Sequence, residues 1–337
     1  MMVLLLLLII VTLVQLLPGA GDFYAQCVYP VIARPLSFVS GLVPYSVSEV
    51  FYTLCLALLL LYPVVSRMML GRSWRSVLFV EAKLILGLYV WFYTTWGLNY
   101  AQSDFYLRTA IQRASYDAQT LLKFADDYVT SLNEAYCVVN DKDETLVRRE
   151  VVKAYRDMST TMGIHAPFSD SPHAKTMLFT PLFSKVGVSG TMGPYFDEFL
   201  VSRDLLPCEY AFTYAHEMSH LLGISREVEA NFYAYEACIR SQVQEVRFSG
   251  YMSILHYVLR EVRNLDTKHY ESWLSQIRPE VLELDRERID YHRSRYSNTL
   301  GSLQDWLYDH YLRFNRIEDG RQNYSEVIGL ILSTRPQ

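Results

Sequence analysis

Apolar positions along this chain fall into two regimes. Over the first hundred residues they form nearly unbroken runs, whereas beyond residue 100 they recur three and four apart among charged positions. Three of the runs approach the ~20 predominantly apolar residues a helix needs to cross a bilayer. The first, Met1 to about Leu17, is interrupted only by Thr12 and Gln15. The second runs from about Phe51 to Val65. The third runs from about Leu84 to Leu98 and ends among Trp91, Phe92, Tyr93, Trp96 and Tyr100. Aromatic endings suit a membrane interface, and Trp74 and Trp96 are expected there. The first run has no basic region ahead of it, and Pro18-Gly19-Ala20 is a poor cleavage site. It is therefore expected to remain as a span rather than leave as a signal peptide.

The pattern predicts a membrane domain over residues 1–100 with three spans, then an outward domain over 101–337. Orientation follows from the basic residues. Arg67, Arg72 and Arg75, with Lys83 close by, lie between the second and third runs, against Arg34 alone between the first two. The positive-inside rule puts the Arg-rich connection in the cytoplasm and the large C-terminal part outside, in a multi-pass protein of the cell membrane.

Beyond residue 100 the helical period dominates. Ala110, Ile111, Ala114, Ala118, Leu121, Leu122, Ala125 and Val129 mark a helical region over 102–160, turned at Asn140 to Asp143 and resumed from Glu144 to Met162. Lys175–Thr180 and Tyr195–Val201 favour short strands, with Val186–Gly190 and Gly193-Pro194 as loop or edge material. Pro207 precedes a helix that Gly223 ends. Ser225 is the expected N-cap of another, from Arg226 to about Arg247. The remainder reads as helix broken near Ser249-Gly250, Pro279 and Glu318-Asp319-Gly320. The expected class is mainly α (α+β): three transmembrane helices followed by a helical domain with a small β element.

Charge and cysteines add limits. A net charge of −5 gives no basic footprint for nucleic acid, and none is expected as a partner. An outward domain permits a disulfide, with Cys208 and Cys238 as the first pairing to consider; unpaired buried thiols are the alternative.

The chemistry centres on His216-Glu217-Met218-Ser219-His220. Positions i and i+4 share a helical face, so both imidazoles can reach one cation, with Glu217 beside the open position. A hydrolytic zinc site wants a third protein ligand. Glu227 is the first choice and Glu229 the second, since Glu227 and Asn231 share a face of the next helix and Asn231 could hydrogen-bond a ligand side chain. Two His and a Glu suit Zn²⁺. Glu217 would then act as general base toward a peptide or protein substrate. Tyr251, His256 and Tyr324 could stabilise an oxyanion, but spacing selects none of them. Tyr195–Val201 could be an edge strand that pairs with an extended peptide. His165, His173, His269, His292 and His310 have no partner at ligand spacing and are expected to face solvent. The alternative to an enzyme is a zinc-stabilised membrane scaffold or binding protein, marked by a closed four-ligand shell.

His216-Glu217-x-x-His220 followed by Glu227-x-x-Ala230-Asn231 resembles the glutamate-type zinc metallopeptidases, although seven residues from His220 to Glu227 is a short interval for that group. The chain also resembles, over nearly its full length, a bacterial membrane family termed domain of unknown function 3810. The matching segments are Trp96 to Tyr100, Gly187 to Gly190, the pentad, Glu227 to Cys238, Phe248 to Tyr251, and Tyr311-Leu312 through Gly320 to Tyr324; Gln102 stands where a basic residue is usual. The resemblance implies a membrane-anchored protein with a zincin-like extracytoplasmic domain, and it supplies no substrate.

Overall fold

The structure is a computed structural model that describes residues 1–115, 117–265, 270–315 and 324–335; the side chains at 314, 324 and 325 fall outside the description. The first apolar run folds as α1 (Met2–Leu16) and stops there. Leu17 is extended ahead of Pro18, as a residue before proline prefers, and Gly19 turns the chain at φ 75°. The chain resumes as α2 (Ala20–Phe23), a π turn (Tyr24–Val28) and α3 (Tyr29–Gly41), bent 114° from α1. Two helices, α4 (Val47–Met68) and α5 (Trp74–Thr95), are each long and apolar enough to cross a membrane. The expectation of three spans is corrected accordingly: the first run reaches spanning length only if α1 and its bent continuation count as one segment. Ser46 and Ser73 cap α4 and α5 through Glu49 N and Ser76 N, so both helices begin well before the purely apolar stretches.

A 3-10 turn (Gly97–Ala101) leads to α6 (Phe105–Thr109), α7 (Ala118–Ala135) and α8 (Glu144–Met158). The region expected to be helical from residue 102 is broken at Ala110, which adopts φ 56°, and restarts where Asp117 caps α7. A three-stranded sheet follows: β1 (Lys175–Thr176), β2 (Gly190–Gly193) and β3 (Glu198–Val201), in the order β1-β3-β2. Lys175–Thr180 is thus a strand only at its start, because Thr180-Pro181 opens α9 (Thr180–Lys185). Tyr195–Val201 is a strand only from Glu198 and lies in the middle of the sheet. β2 is one of the two edges, antiparallel to β3, in a stretch expected to be loop or edge material.

The remaining helices are α10 (Pro207–Leu221), α11 (Glu227–Ile239), α12 (Gln244–Leu265), α13 (Tyr270–Leu274), α14 (Pro279–Arg295), α15 (Asn298–Phe314) and α16 (Tyr324–Thr334). Helices α10, α11 and α12 pack together, flanked by α7, α8 and α16, around one continuous apolar core. The helix expected to run to Arg247 ends at Ile239, and Ser225 does not cap it; its hydroxyl donates to Asn99 O instead. Conversely, α12 runs unbroken through Ser249-Gly250. Gly250 faces Cys238, where a Cβ on the glycine would collide with the cysteine's own, so the absent side chain serves close packing between α11 and α12. Cys208 and Cys238 are buried free thiols, which replaces the disulfide reading. Pro279 starts α14 as expected, while Glu318-Asp319-Gly320 lies outside the described residues.

Residue 100 marks a change of composition, yet contacts cross it freely. Tyr29 donates to Leu221 O at 2.7 Å, and Gln102 Nε2 to Gly223 O at 2.5 Å. Glu198 accepts from Ser48 N (2.6 Å) and Ser46 Oγ (3.3 Å) and pairs with Lys175 at 2.5 Å. Lys175 also donates to Ser40 O, and Glu49 accepts from the amides of Leu178 and Phe179. The sheet and the end of α10 are therefore tied directly to the segments that join the apolar helices.

Candidate metal centre

Helix α10 closes with Gly223 at φ 92°, where Gly223 N donates to His220 O and Ile224 N donates to Ser219 O. This pair of bonds satisfies the last carbonyls and turns the chain sharply into α11. The tight turn brings Glu227, in the first turn of α11, against the face that carries both histidines. His216 and His220 Nε2 lie 3.1 Å apart; Glu227 Oε2 is 3.2 Å from the first and Oε1 3.7 Å from the second. All three donor groups fall within 4.8 Å of one another, the only such group of three or more His, Cys, Asp or Glu among the described residues.

Supporting contacts fix the orientation of the donors. His220 Nδ1 donates to Ile224 O at 2.6 Å, which leaves its Nε2 facing the cluster. Trp96 Nε1 donates to His220 O at 2.9 Å, and Tyr308 donates to Glu227 Oε1 at 2.6 Å. Trp96 is therefore not a membrane-interface residue; it is 5% exposed and braces α10. A cavity of about 500 Å³ opens over the donors, lined among others by Phe92, Tyr100, Gly190, Tyr308 and Tyr311.

Glu217 lines the same cavity, buried, with one carboxylate oxygen lacking a partner. Gly190 of β2 lies so close that a Cβ there would overlap the carboxylate. Burial raises the Glu217 pKa to about 6, partly countered by the two histidines. Burial opposes the charged form of His220, but the Glu227 carboxylate outweighs it and lifts the pKa to about 9. Burial likewise opposes the Glu227 charge, and the histidines overcome that and hold its pKa well below the usual range. Near neutral pH the metal-free site thus favours the cationic His220 imidazole, with a proton on each ring nitrogen, held by Glu227. A metal takes a neutral imidazole nitrogen, so binding at pH 7 should release ~1 proton, with affinity rising with pH until His220 loses its proton unaided. Calorimetry of zinc binding in buffers of different ionisation enthalpy checks this; equal apparent enthalpies in all buffers would rule it out.

Other expectations resolve differently. Glu229 faces away from the cluster, pairs with Arg108 at 2.6 Å and accepts from Phe105 N. Asn231 lines the cavity but donates to the Tyr257 hydroxyl at 3.2 Å rather than to a ligand. Tyr251 packs edge-on against Tyr128 and Tyr235, and His256 lines a neighbouring hollow, so neither lines the cavity over the donors. The Tyr324 side chain and His269 lie outside the described residues. His173 and His310 are exposed as expected, whereas His165 is half-buried against Ala25 O and His292 bonds Glu209 at 2.9 Å. Sequence reasoning missed Tyr308 and the roles of Trp96 and Gly190, although both of the latter lie in segments that carry the family resemblance. For Tyr308 the available signal was the aromatic density of α15 at helical spacing.

Helices of membrane-crossing length, joined to a helical body with a His-His-Glu cluster beneath a cavity, define a mainly helical membrane-protein class with a candidate metal centre. The chain belongs to the family described as protein of unknown function (DUF3810), whose model matches residues 24–332. No curated protein and no solved structure matches the chain.

Proposed function

We propose that the protein is a membrane-anchored, zinc-dependent metallopeptidase whose site faces the extracytoplasmic side. The observation that carries this reading is the juxtaposition of three metal donors with a buried carboxylate, Glu217, that has an unpartnered oxygen. The donor set fits zinc: two imidazoles and one carboxylate from protein, with no fourth His, Cys, Asp or Glu joining the group among the described residues. That count favours an open position over the closed shell of a structural site.

Zinc bound by His216, His220 and Glu227 would supply Lewis acidity, which makes water acidic near neutral pH and polarises a carbonyl. Glu217 then accepts the proton of the attacking water and returns it to the leaving amine. The edge strand β2 takes the role expected of Tyr195–Val201, because its Gly190–Met192 segment lines the cavity. An extended peptide pairs there through backbone hydrogen bonds. The sidedness follows from Arg67, Arg72 and Arg75 around the far turn between α4 and α5.

The test uses the full chain in lipid nanodiscs, loaded with zinc and offered a pool of unstructured peptides. Wild type should bind one zinc and cleave. Glu227→Ala should lose zinc and cleavage together. Glu229→Ala should retain zinc but lose about 3–5 kcal/mol of stability, because it strands the buried Arg108. No cleavage by zinc-loaded wild type, or cleavage unaltered in zinc-free Glu227→Ala, would sink the reading.

A further inference from the structure

Helix α15 divides into three faces. Gln304, Tyr308 and Tyr311 turn inward and line the cavity over the metal donors. Ser302, Asp309 and Arg313 form a polar sector, with Asp309 and Arg313 paired at 2.9 Å. The third sector carries Leu300, Leu303, Trp306 and Leu307, all exposed, with Trp306 57% accessible, and the exposed His310, whose ring packs on Trp306 at 4.2 Å.

Both ends of α15 are tied to the same end of the membrane-length helices. At its start, Ser297 N donates to Lys185 O at the end of α9, and the amides just before α9 are bound by Glu49 in the first turn of α4. At its finish, Asn315 Oδ1 accepts from Tyr93 at 2.8 Å near the end of α5, while Tyr311 packs on Phe92 and Tyr100. The start of α4 and the end of α5 lie on one side of any bilayer these two helices cross. A helix pinned at both points runs across that side rather than away from it. Exposed apolar residues also flank the start of α4, at Leu178, Phe179 and Leu182, and others, Val31, Phe38 and Val39, lie on α3. Below them lie the exposed leucines of α4, such as Leu54, Leu58 and Leu61.

We propose that α15 is an interfacial helix, seated on the outer leaflet with Leu300, Leu303, Trp306 and Leu307 in the lipid surface. An amphipathic helix of this kind sinks its apolar face ~5–10 Å into the headgroup boundary. The opposite face of the same helix holds the Tyr308 hydroxyl on Glu227. The candidate metal centre therefore lies one helix diameter from the bilayer surface, and the chains it meets are those held at that surface. The lipid contact rests on α4 and α5 crossing the membrane and does not depend on hydrolysis.

Quenching of tryptophan emission by brominated phospholipids tests the seating in nanodiscs. Flotation of the full chain with liposomes after an alkaline wash reports membrane embedding separately. The Trp306 contribution is the difference between wild type and Trp306→Phe. It should lose most of its emission to lipids brominated near the headgroup and little to aqueous iodide. In the Trp306→Phe background, Leu303→Trp and Leu307→Trp should behave as Trp306 does, whereas Asp309→Trp, two residues from Leu307 and so on the far side of the helix from it, should be quenched by iodide and spared by lipid. Iodide quenching of Trp306 without lipid quenching overturns the proposal. So does protection from both quenchers, which would mean that protein, such as a second copy, covers the stripe. Equal lipid quenching at 307 and 309 overturns the orientation. Should flotation fail, the embedding itself is wrong and the proposal falls with it.

Discussion

Glu217→Gln is expected to bind zinc as wild type does and to hydrolyse peptides about 10²–10⁴-fold more slowly, the usual share of a general base. The amide has the shape of the carboxylate but cannot take a proton. Glu217 belongs to no donor pair in the cluster, so its replacement leaves His216, His220 and Glu227 in place. His216→Ala should lose metal and turnover together. Gly190→Ala offers an independent check, since the added methyl would displace the Glu217 carboxylate without touching a donor. Zinc content by atomic absorption beside peptide cleavage separates these cases. Undiminished turnover in Glu217→Gln would falsify the assigned base.

The second large effect concerns the boundary at residue 100. A fragment of residues 101–337 is expected to aggregate instead of folding as a soluble domain. Cutting there removes the Ser46 and Ser48 donors of Glu198 and the Ser40 carbonyl that accepts from Lys175, stranding a buried ion pair. It also uncovers the end of α10, which Tyr29 and Trp96 brace through the Leu221 and His220 carbonyls. Leaving a buried group short of its hydrogen-bond partner costs about 1–3 kcal/mol, more for a charged one, so several such losses are a large part of the ~5–15 kcal/mol that holds a typical protein folded. Solubility and thermal melting of the fragment, beside the full chain in detergent, decide the matter. A monomeric fragment with a cooperative melt would show that the N-terminal hundred residues are dispensable.

The contrast between these two predictions shows what a sequence can reveal. His216, Glu217, His220 and Glu227 were readable because helical periodicity and one glycine-closed turn bring them together, and such geometry is local. Glu227 could be ranked above Glu229 for the same reason: one residue pair faces the histidines and the other faces Arg108. What the pattern could not supply came from distant chain. Trp96 read as an interfacial aromatic because nothing nearby announces its bond to a carbonyl far along the sequence. Tyr308 reaches Glu227 from a helix whose apolar stripe faces the other way. Gly250 suggested a break but serves packing, whereas Gly190, read as loop or edge material, lies in an edge strand over Glu217. The first run, ending near Leu17, falls short of a span by itself because its helix stops at Leu16 and the chain bends at Pro18-Gly19, so only the bent pair together reaches spanning length.

One feature of the hairpin between α10 and α11 reaches beyond chemistry. Its candidate donors all fall between His216 and Glu227, so a cation bound there would be gripped by a single short stretch of chain, whereas the groups that surround the cluster arrive from remote segments. On the proposed reading, capacity to hold an ion and capacity to turn over a substrate would be encoded separately. Changes in α15, β2 or α5 would then extinguish reactivity while the grip persisted, and a descendant of this scaffold could shed catalysis without shedding a metal.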